Sequence, residues 1–222
     1  MVVGLVLVLV AVVAVVTIRS GDRPPATAPR PVVGYIGDSL TVGGLSEGLQ
    51  GSMEGLGHDA STLRIDGLVG RSIVDGMPPY LPSSQDVVSR WRREGFHPDV
   101  WVVALISNDF GKSKGELKTS IDALLDVIDD EPVTKVLWVG PAVKPGSELL
   151  PQVEDTMYPA LDEVVSERTG SMEFKLLDLQ SVIRDRRVAD EATALWTDDR
   201  HMTSEGYRLR NDAIVEFCRA EQ

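Results

Sequence analysis

Two spacings of apolar residues alternate along this chain, one suited to strands and one to helices, and the switching between them predicts the elements. Val32 to Ile36 is a short apolar run between a proline and a polar turn, and it reads as a strand. Helical spacing follows from about Leu40 to Leu56, then a short strand around Leu63 to Ile65 and a helix from Ser83 to Glu94. Asp99 to Ile106 is apolar almost without interruption, the pattern of a strand buried on both faces. Ser113-Lys114-Gly115-Glu116 matches a capping box that opens a helix over Leu117 to Asp129. Val133 to Val139 predicts the next buried strand, closed by Gly140-Pro141. Glu154 to Arg168 predicts a helix stopped by Gly170, Phe174 to Leu179 a last strand, and Ser204 to Cys218 a closing amphipathic helix. Strands interleaved with helices imply right-handed crossovers and a sheet covered on both sides. The expected fold class is α/β, a three-layer α/β/α sandwich around a mostly parallel five-stranded sheet.

Two segments precede this domain. Val2 to Ile18 is an uncharged run rich in Val and Leu, just long enough to span a bilayer. Arg19, Arg23 and Arg30 follow it and no basic residue precedes it, a charge bias that by itself points the domain toward the cytoplasm. Ala26-Thr27-Ala28 fits a small-x-small cleavage pattern but lies far beyond the apolar core and is followed by Pro29. The expectation is a transmembrane anchor or signal segment over 1–18, with the protein membrane-anchored or secreted, the domain extracytoplasmic and its orientation open. Residues 19–31, with Pro24, Pro25, Pro29 and Pro31, form an extended tether, which places the domain at 32–222.

Composition then narrows the chemistry. A length of 222 residues suits one sizeable core, and a net charge of -12 with scattered basic residues argues against a nucleic-acid partner. The one cysteine, Cys218, lies in an apolar pattern and reads as a buried core residue. Of the 3 histidines, His58 and His97 sit in loop-like surroundings and are expected to be exposed, which leaves His201. No metal site or cofactor is expected. The histidines are too few, Asp129-Asp130-Glu131 reads as a solvated helix end, and Gly43-Gly44 lacks the ending of a phosphate loop.

Gly37-Asp38-Ser39-Leu40 places a hydroxyl on the turn between a strand and a helix, past the carboxyl end of the strand, where open α/β sheets form their crevices. The same tetrapeptide also reads as an ordinary helix N-cap. Asp198-Asp199-Arg200-His201 brings a carboxylate and an imidazole within one turn. With Val69-Gly70-Arg71 and Ser107-Asn108-Asp109 between them, these pieces resemble the SGNH (GDSL) hydrolase family over roughly Val32 to Cys218. The resemblance implies a flavodoxin-like fold in which Ser39 is the nucleophile, His201 the base and Asp198 its orienting partner. It further implies an oxyanion hole made from Ser39 N–H, Gly70 N–H and the Asn108 amide. Ile106 departs from the family pattern, standing where a glycine lets the chain bend beside the nucleophile. The substrate implied is an acyl ester, expected to be a small O-acyl ester on a cell-envelope carbohydrate or lipid. Two other readings stay open: an acyltransferase passing the acyl group to a glycan hydroxyl, and a non-catalytic acyl- or carbohydrate-binding module.

Overall fold

The computed structural model of the chain describes residues 30–74, 81–129, 135–168, 172–186 and 193–221. The segment 1–18, most of the tether, the start of the strand expected at Val133 and the stop at Gly170 lie outside them. Among the described residues no helix is long and apolar enough to cross a membrane.

Five parallel strands form one sheet in the order β2-β1-β3-β4-β5. They are β1 (Val33–Gly37), β2 (Leu63–Gly67), β3 (Val100–Ala104), β4 (Lys135–Val139) and β5 (Glu173–Leu177). The helices are α1 (Ser39–Ser46), α2 (Leu49–Glu54), α3 (Ser84–Arg93), α4 (Lys114–Asp129), α5 (Leu150–Gln152), α6 (Tyr158–Glu167), α7 (Leu179–Arg186) and α8 (Ser204–Ala220). Strand side chains alternate between two apolar layers. Ile36, Trp101, Val103, Val136 and Trp138 pack with residues of α3, α4 and α6. Tyr35, Val102, Leu137 and Val139 pack with residues of α2, α7 and α8. This is the three-layer sandwich the periodicity predicts, with every strand parallel.

The differences are local. The helix expected over Leu40 to Leu56 is two helices, because Gly48 takes left-handed backbone (φ 86) and reverses the chain between them. The helix expected from Glu154 passes through a π-helical turn at Val153–Met157 before α6. Pro159, with no N–H to donate and a ring that crowds the preceding turn, accounts for that widening. The last strand ends at Leu177. Asp178 then accepts from Ser181 N–H (2.9 Å) and opens α7, a helix the sequence pattern does not announce. His58, expected to be exposed, is buried; Cys218 is buried as expected, and the enclosure pushes its thiol up to about 12. Such breaks are tolerated because each costs about 1 kcal/mol, whereas one fully buried large apolar side chain contributes about 1.5–3 kcal/mol.

The sheet order places a topological switch between β1 and β3, since β1 leads outward to β2 on one side and its other neighbour leads to β4. At the level of Gly37 its partners are Gly67 and Ala104, so the turns after these strands emerge side by side. Gly37 is glycine for a steric reason: a Cβ there would lie 1.8 Å from Thr41 Oγ1, on the helix that starts two residues later. Gly37→Ala is therefore expected to lower unfolding free energy by about 1–3 kcal/mol or more. The same change at Gly51, inside α2 with nothing within 4 Å of its would-be Cβ, should raise it by about 0.4–1 kcal/mol. Denaturant unfolding of the two variants checks the opposite signs.

Candidate functional site

Ser39 is the first residue of α1. Asp38, its N-cap, accepts from Leu40 N–H at 2.9 Å, and Asp38 N–H donates to Ala104 O at 3.3 Å. The serine hydroxyl is thus held at the end of β1 beside the end of β3. His201 arrives from the far end of the chain. An antiparallel bridge between Trp196 and Met202 closes the loop that carries it, and Thr197 N–H donates to His201 O at 2.9 Å. His201 Nε2 lies 3.2 Å from Ser39 Oγ, and its Nδ1 lies 2.8 Å from Asp198 Oδ2.

The two oxygens of Asp198 are divided. Oδ1 accepts from the backbone N–H groups of Arg200 (2.8 Å) and His201 (2.7 Å), which leaves Oδ2 for the ring. Partial burial alone would push this carboxyl up. The His201 and Arg200 amides and the imidazole bond outweigh it and hold the carboxyl down at about 2. Asp198 is an acceptor at any pH above that value. Among the described residues no hydrogen bond joins Asp199 to the ring, and Asp199 lines a neighbouring cavity.

Gly70 and Asn108 complete the ring of groups around Ser39. Gly70 has left-handed backbone (φ 78), and Asn108 Nδ2 donates to Arg71 O at 2.9 Å, which fixes the amide. Among the described residues the backbone N–H groups of Ser39 and Gly70 have no acceptor. Ser39, Val69, Gly70, Ser107, Asn108, Arg200 and His201 enclose a pocket of about 130 Å³. The geometry is a hydroxyl against an imidazole, the imidazole against a carboxylate, and uncommitted N–H donors a few ångströms away. No group of three or more potential metal-ligating side chains occurs among the described residues.

Ile106 makes the bend expected of glycine by taking left-handed backbone itself (φ 97). That is an outlier for a β-branched residue, and it persists because the residues after it are each tied down. The Ser107 hydroxyl donates to Asp38 Oδ2, Asn108 is held by Arg71 O, and Asp109 Oδ2 accepts from Ile73 N–H (3.2 Å). Asp109 N–H also closes on Ile106 O at 2.9 Å. The Ile106 side chain is wholly buried in the core. Burial on this scale is worth about 2–5 kcal/mol against about 1–3 kcal/mol of strain, so isoleucine is tolerated here.

Arg71 has a structural role that its place in the sequence motif does not reveal. It is buried and clamps the ends of β1 and β2: Nη1 donates to Gly37 O (3.1 Å) and Asp66 O (2.9 Å), and Nη2 to Asp66 Oδ1 (2.6 Å). Arg90 takes the other oxygen of Asp66 at 2.6 Å. The only sequence signal is an arginine directly after the glycine. Arg200 carries as little signal of its own; its guanidinium donates to Ser107 O at 3.3 Å and lies over the Phe110 ring, 5.8 Å from the centroid.

A family model described as the GDSL-like Lipase/Acylhydrolase family matches residues 35–209. No curated relative matches the chain. Among solved structures, an alpha/beta hydrolase enzyme from the metagenome of Lake Arreo, Spain, superposes with a TM-score of 0.60 at 15% identity, over 84% of this chain and 94% of its own. An acetylxylan esterase from Geobacillus stearothermophilus gives 0.58 at 16% identity, over 84% and 93%. A psychrotrophic esterase from Pseudoalteromonas sp. gives 0.57 at 14% identity, over 83% and 95%. At these identities the likeness is one of fold.

Strain at Ile106 makes a prediction about stability. Ile106→Ala and Ile106→Gly both empty the same cavity, but only glycine relieves the left-handed backbone. At ordinary positions alanine is the more stable by about 0.5–1 kcal/mol. At 106 the order should reverse, as read by thermal or denaturant unfolding, and an alanine variant more stable than the glycine one would show the bend to be unstrained.

Proposed function

This chain belongs to the GDSL-like lipase/acylhydrolase family, and on that premise we propose that it is an SGNH-type serine esterase whose nucleophile is Ser39 and whose substrates are small O-acyl esters. The observation that carries the reading is the continuous path Ser39 Oγ, His201 Nε2, His201 Nδ1, Asp198 Oδ2, at 3.2 and 2.8 Å. In the reaction Ser39 Oγ attacks the ester carbonyl carbon while its proton passes to His201 Nε2. The electron pair driven onto the carbonyl oxygen is met by Ser39 N–H, Gly70 N–H and Asn108 Nδ2, neutral donors aimed where charge appears only in the transition state. Collapse of the tetrahedral species expels the alcohol, which takes the proton from His201. Water, deprotonated by the same nitrogen, then attacks the acyl-enzyme carbonyl; the bond to Ser39 Oγ breaks, His201 returns the proton to that oxygen, and the acid leaves. Asp198 holds Nδ1–H throughout, keeping Nε2 the acceptor.

Size supports a short acyl group. A pocket of about 130 Å³ is below the roughly 300 Å³ at which sites for larger organic ligands begin. The His201 side chain is 40% exposed, which is compatible with access of water for the second half of the reaction. The acetylxylan esterase among the structural relatives acts on an acetyl ester of a polysaccharide, in line with a small acyl group here. The uncharged run at 2–18 supports a membrane-tethered enzyme. The 222-residue chain should sediment with membranes, and a chain starting at Val32 should stay in the supernatant with the same kcat/KM.

With an activated short-chain aryl ester, Asp198→Asn should lower kcat roughly 10⁴-fold, as when an orienting carboxylate is replaced by an amide, and Asp199→Asn far less. Asn108→Ala should lower kcat by about 10²–10³ with little change in KM. Ser39→Ala and His201→Ala should each remove most activity, and the double variant should lose almost nothing more, because the two act as one unit. Additive losses for that pair, or equal losses at Asp198 and Asp199, would overturn the assignment.

A further inference from the structure

A second and larger cavity, about 530 Å³, adjoins the Ser39 pocket. Arg200 lines both, so the two are neighbours across that residue. Three segments at the carboxyl edge of the sheet build the cavity. The turn after β3 brings Phe110, the loop between β4 and α5 brings Glu148 and Leu149, and the loop of His201 brings Asp198, Asp199 and Arg200. Lys144 N–H donates to Asp199 O at 3.0 Å and fixes the second segment to the third. In volume this cavity falls within the roughly 300–1,000 Å³ of small-molecule sites, while the Ser39 pocket does not. The smaller pocket has room for a short acyl group and the larger for a bulky group.

The lining decides which alcohol. Asp198 is occupied by its amides and the imidazole, which leaves two carboxylates, Glu148 and Asp199, and one guanidinium. Among the described residues no ion pair joins Arg200 to either carboxylate, although all three line one cavity. Arg200 is steadied instead by a backbone carbonyl and an aromatic ring, with donors to spare. An anionic alcohol would face two carboxylates, and a cationic one would face the guanidinium. A fatty alcohol would offer the guanidinium and the two carboxylates no hydrogen-bonding partner. A neutral, hydroxyl-rich ring uses every group: carboxylates accept from its hydroxyls, the guanidinium donates to its oxygens, and Phe110 and Leu149 cover its C–H face.

We propose that this cavity is the leaving-group subsite and that it binds a neutral sugar, so that the enzyme acts on short-chain O-acyl esters of neutral carbohydrate. The inference rests on the reading of Ser39 as nucleophile. Arg200, Glu148 and Asp199 are then specificity-determining residues, acting on the alcohol half of the substrate.

The test compares four acetyl esters with the purified 222-residue chain: an O-acetylated methyl xyloside, an O-acetylated methyl glucuronide, acetylcholine, and 4-nitrophenyl acetate as the activated reference. The neutral sugar ester should exceed both charged esters in kcat/KM by about tenfold or more, the worth of one or two hydrogen bonds. Replacing both carboxylates (Glu148→Gln with Asp199→Asn) should lower the ratio of sugar-ester to aryl-ester kcat/KM by about tenfold, chiefly through KM. The same variant should raise the glucuronide relative to the xyloside, a change of preference that mere loosening of the loop would not produce. Equal or better turnover of a charged ester, or variants that scale all four esters alike, would overturn the subsite. Failure of the wild-type enzyme to cleave even 4-nitrophenyl acetate would remove the Ser39 reading itself, and the subsite with it.

Discussion

A buried carboxylate holds the two halves of the site together. Asp38 accepts from Leu40 N–H with one oxygen and from the Ser107 hydroxyl with the other, so the turn that carries Ser39 and the turn that carries Asn108 share one anchor. Burial pushes this carboxyl up, and the Ser107 hydroxyl, the Leu40 amide and the Arg210 charge oppose the shift without cancelling it. The sign matters: an acid whose native value is raised binds protons more readily when folded, so the stability it confers falls as pH rises from the ordinary carboxylate range toward the raised value. Asp109, raised by burial against the pull of Lys112, runs the same way. Both acids sit beside the pocket, and the fold gives up stability there to fix two loops with few atoms.

Around that anchor the site is assembled from close fits. Gly37 admits α1 against β1, Ile106 bends out of β3 with strained backbone, and Arg71 closes the ends of β1 and β2 from within. Each is tolerable only because its neighbours are fixed: the Ile106 bend by Ser107, Asn108 and Asp109, and the Arg71 guanidinium by Asp66, which Arg90 also holds. Breaking a buried ion pair on one side strands the other charge at a cost of about 3–5 kcal/mol. Arg71 is thus tied to the site indirectly. Its carbonyl orients Asn108 while its side chain holds the sheet edge from which Ser39 emerges.

The parts legible in the sequence are those whose cause is local. Apolar periodicity reports which faces are buried, so the five strands and most helices can be read within a few residues of their ends. The capping box at Ser113 and Glu116 forms as its spacing implies, with Ser113 N–H donating to Glu116 Oε2 at 2.8 Å. Asp198 and His201 lie within one turn, so their pairing needs no knowledge of the fold. The illegible parts depend on distant partners. His58 looks like a loop residue, yet it is buried and lines a small cavity together with Pro31, Met53 and Cys218. Glycine at 106 would have announced a bend, and isoleucine hides one. The division of labour between Asp198 and Asp199 can be read from spacing, but the role of Arg200 between them and the histidine needs the loop after β3 in place.

Arg200 shows how separate motifs are brought to a common register. Its backbone N–H holds Asp198 Oδ1, and its guanidinium reaches Ser107 O on the other side of the pocket. One residue therefore sets the carboxylate that aligns His201 and braces the turn that presents Asn108. General-base transfer and oxyanion stabilisation both fail when groups drift by about 1 Å, and nothing in β-sheet pairing alone controls the distance between a loop near residue 200 and a turn near residue 107. A cross-brace at that point does. The same residue also lines the larger cavity, so the brace and that cavity share one side of the loop that carries His201.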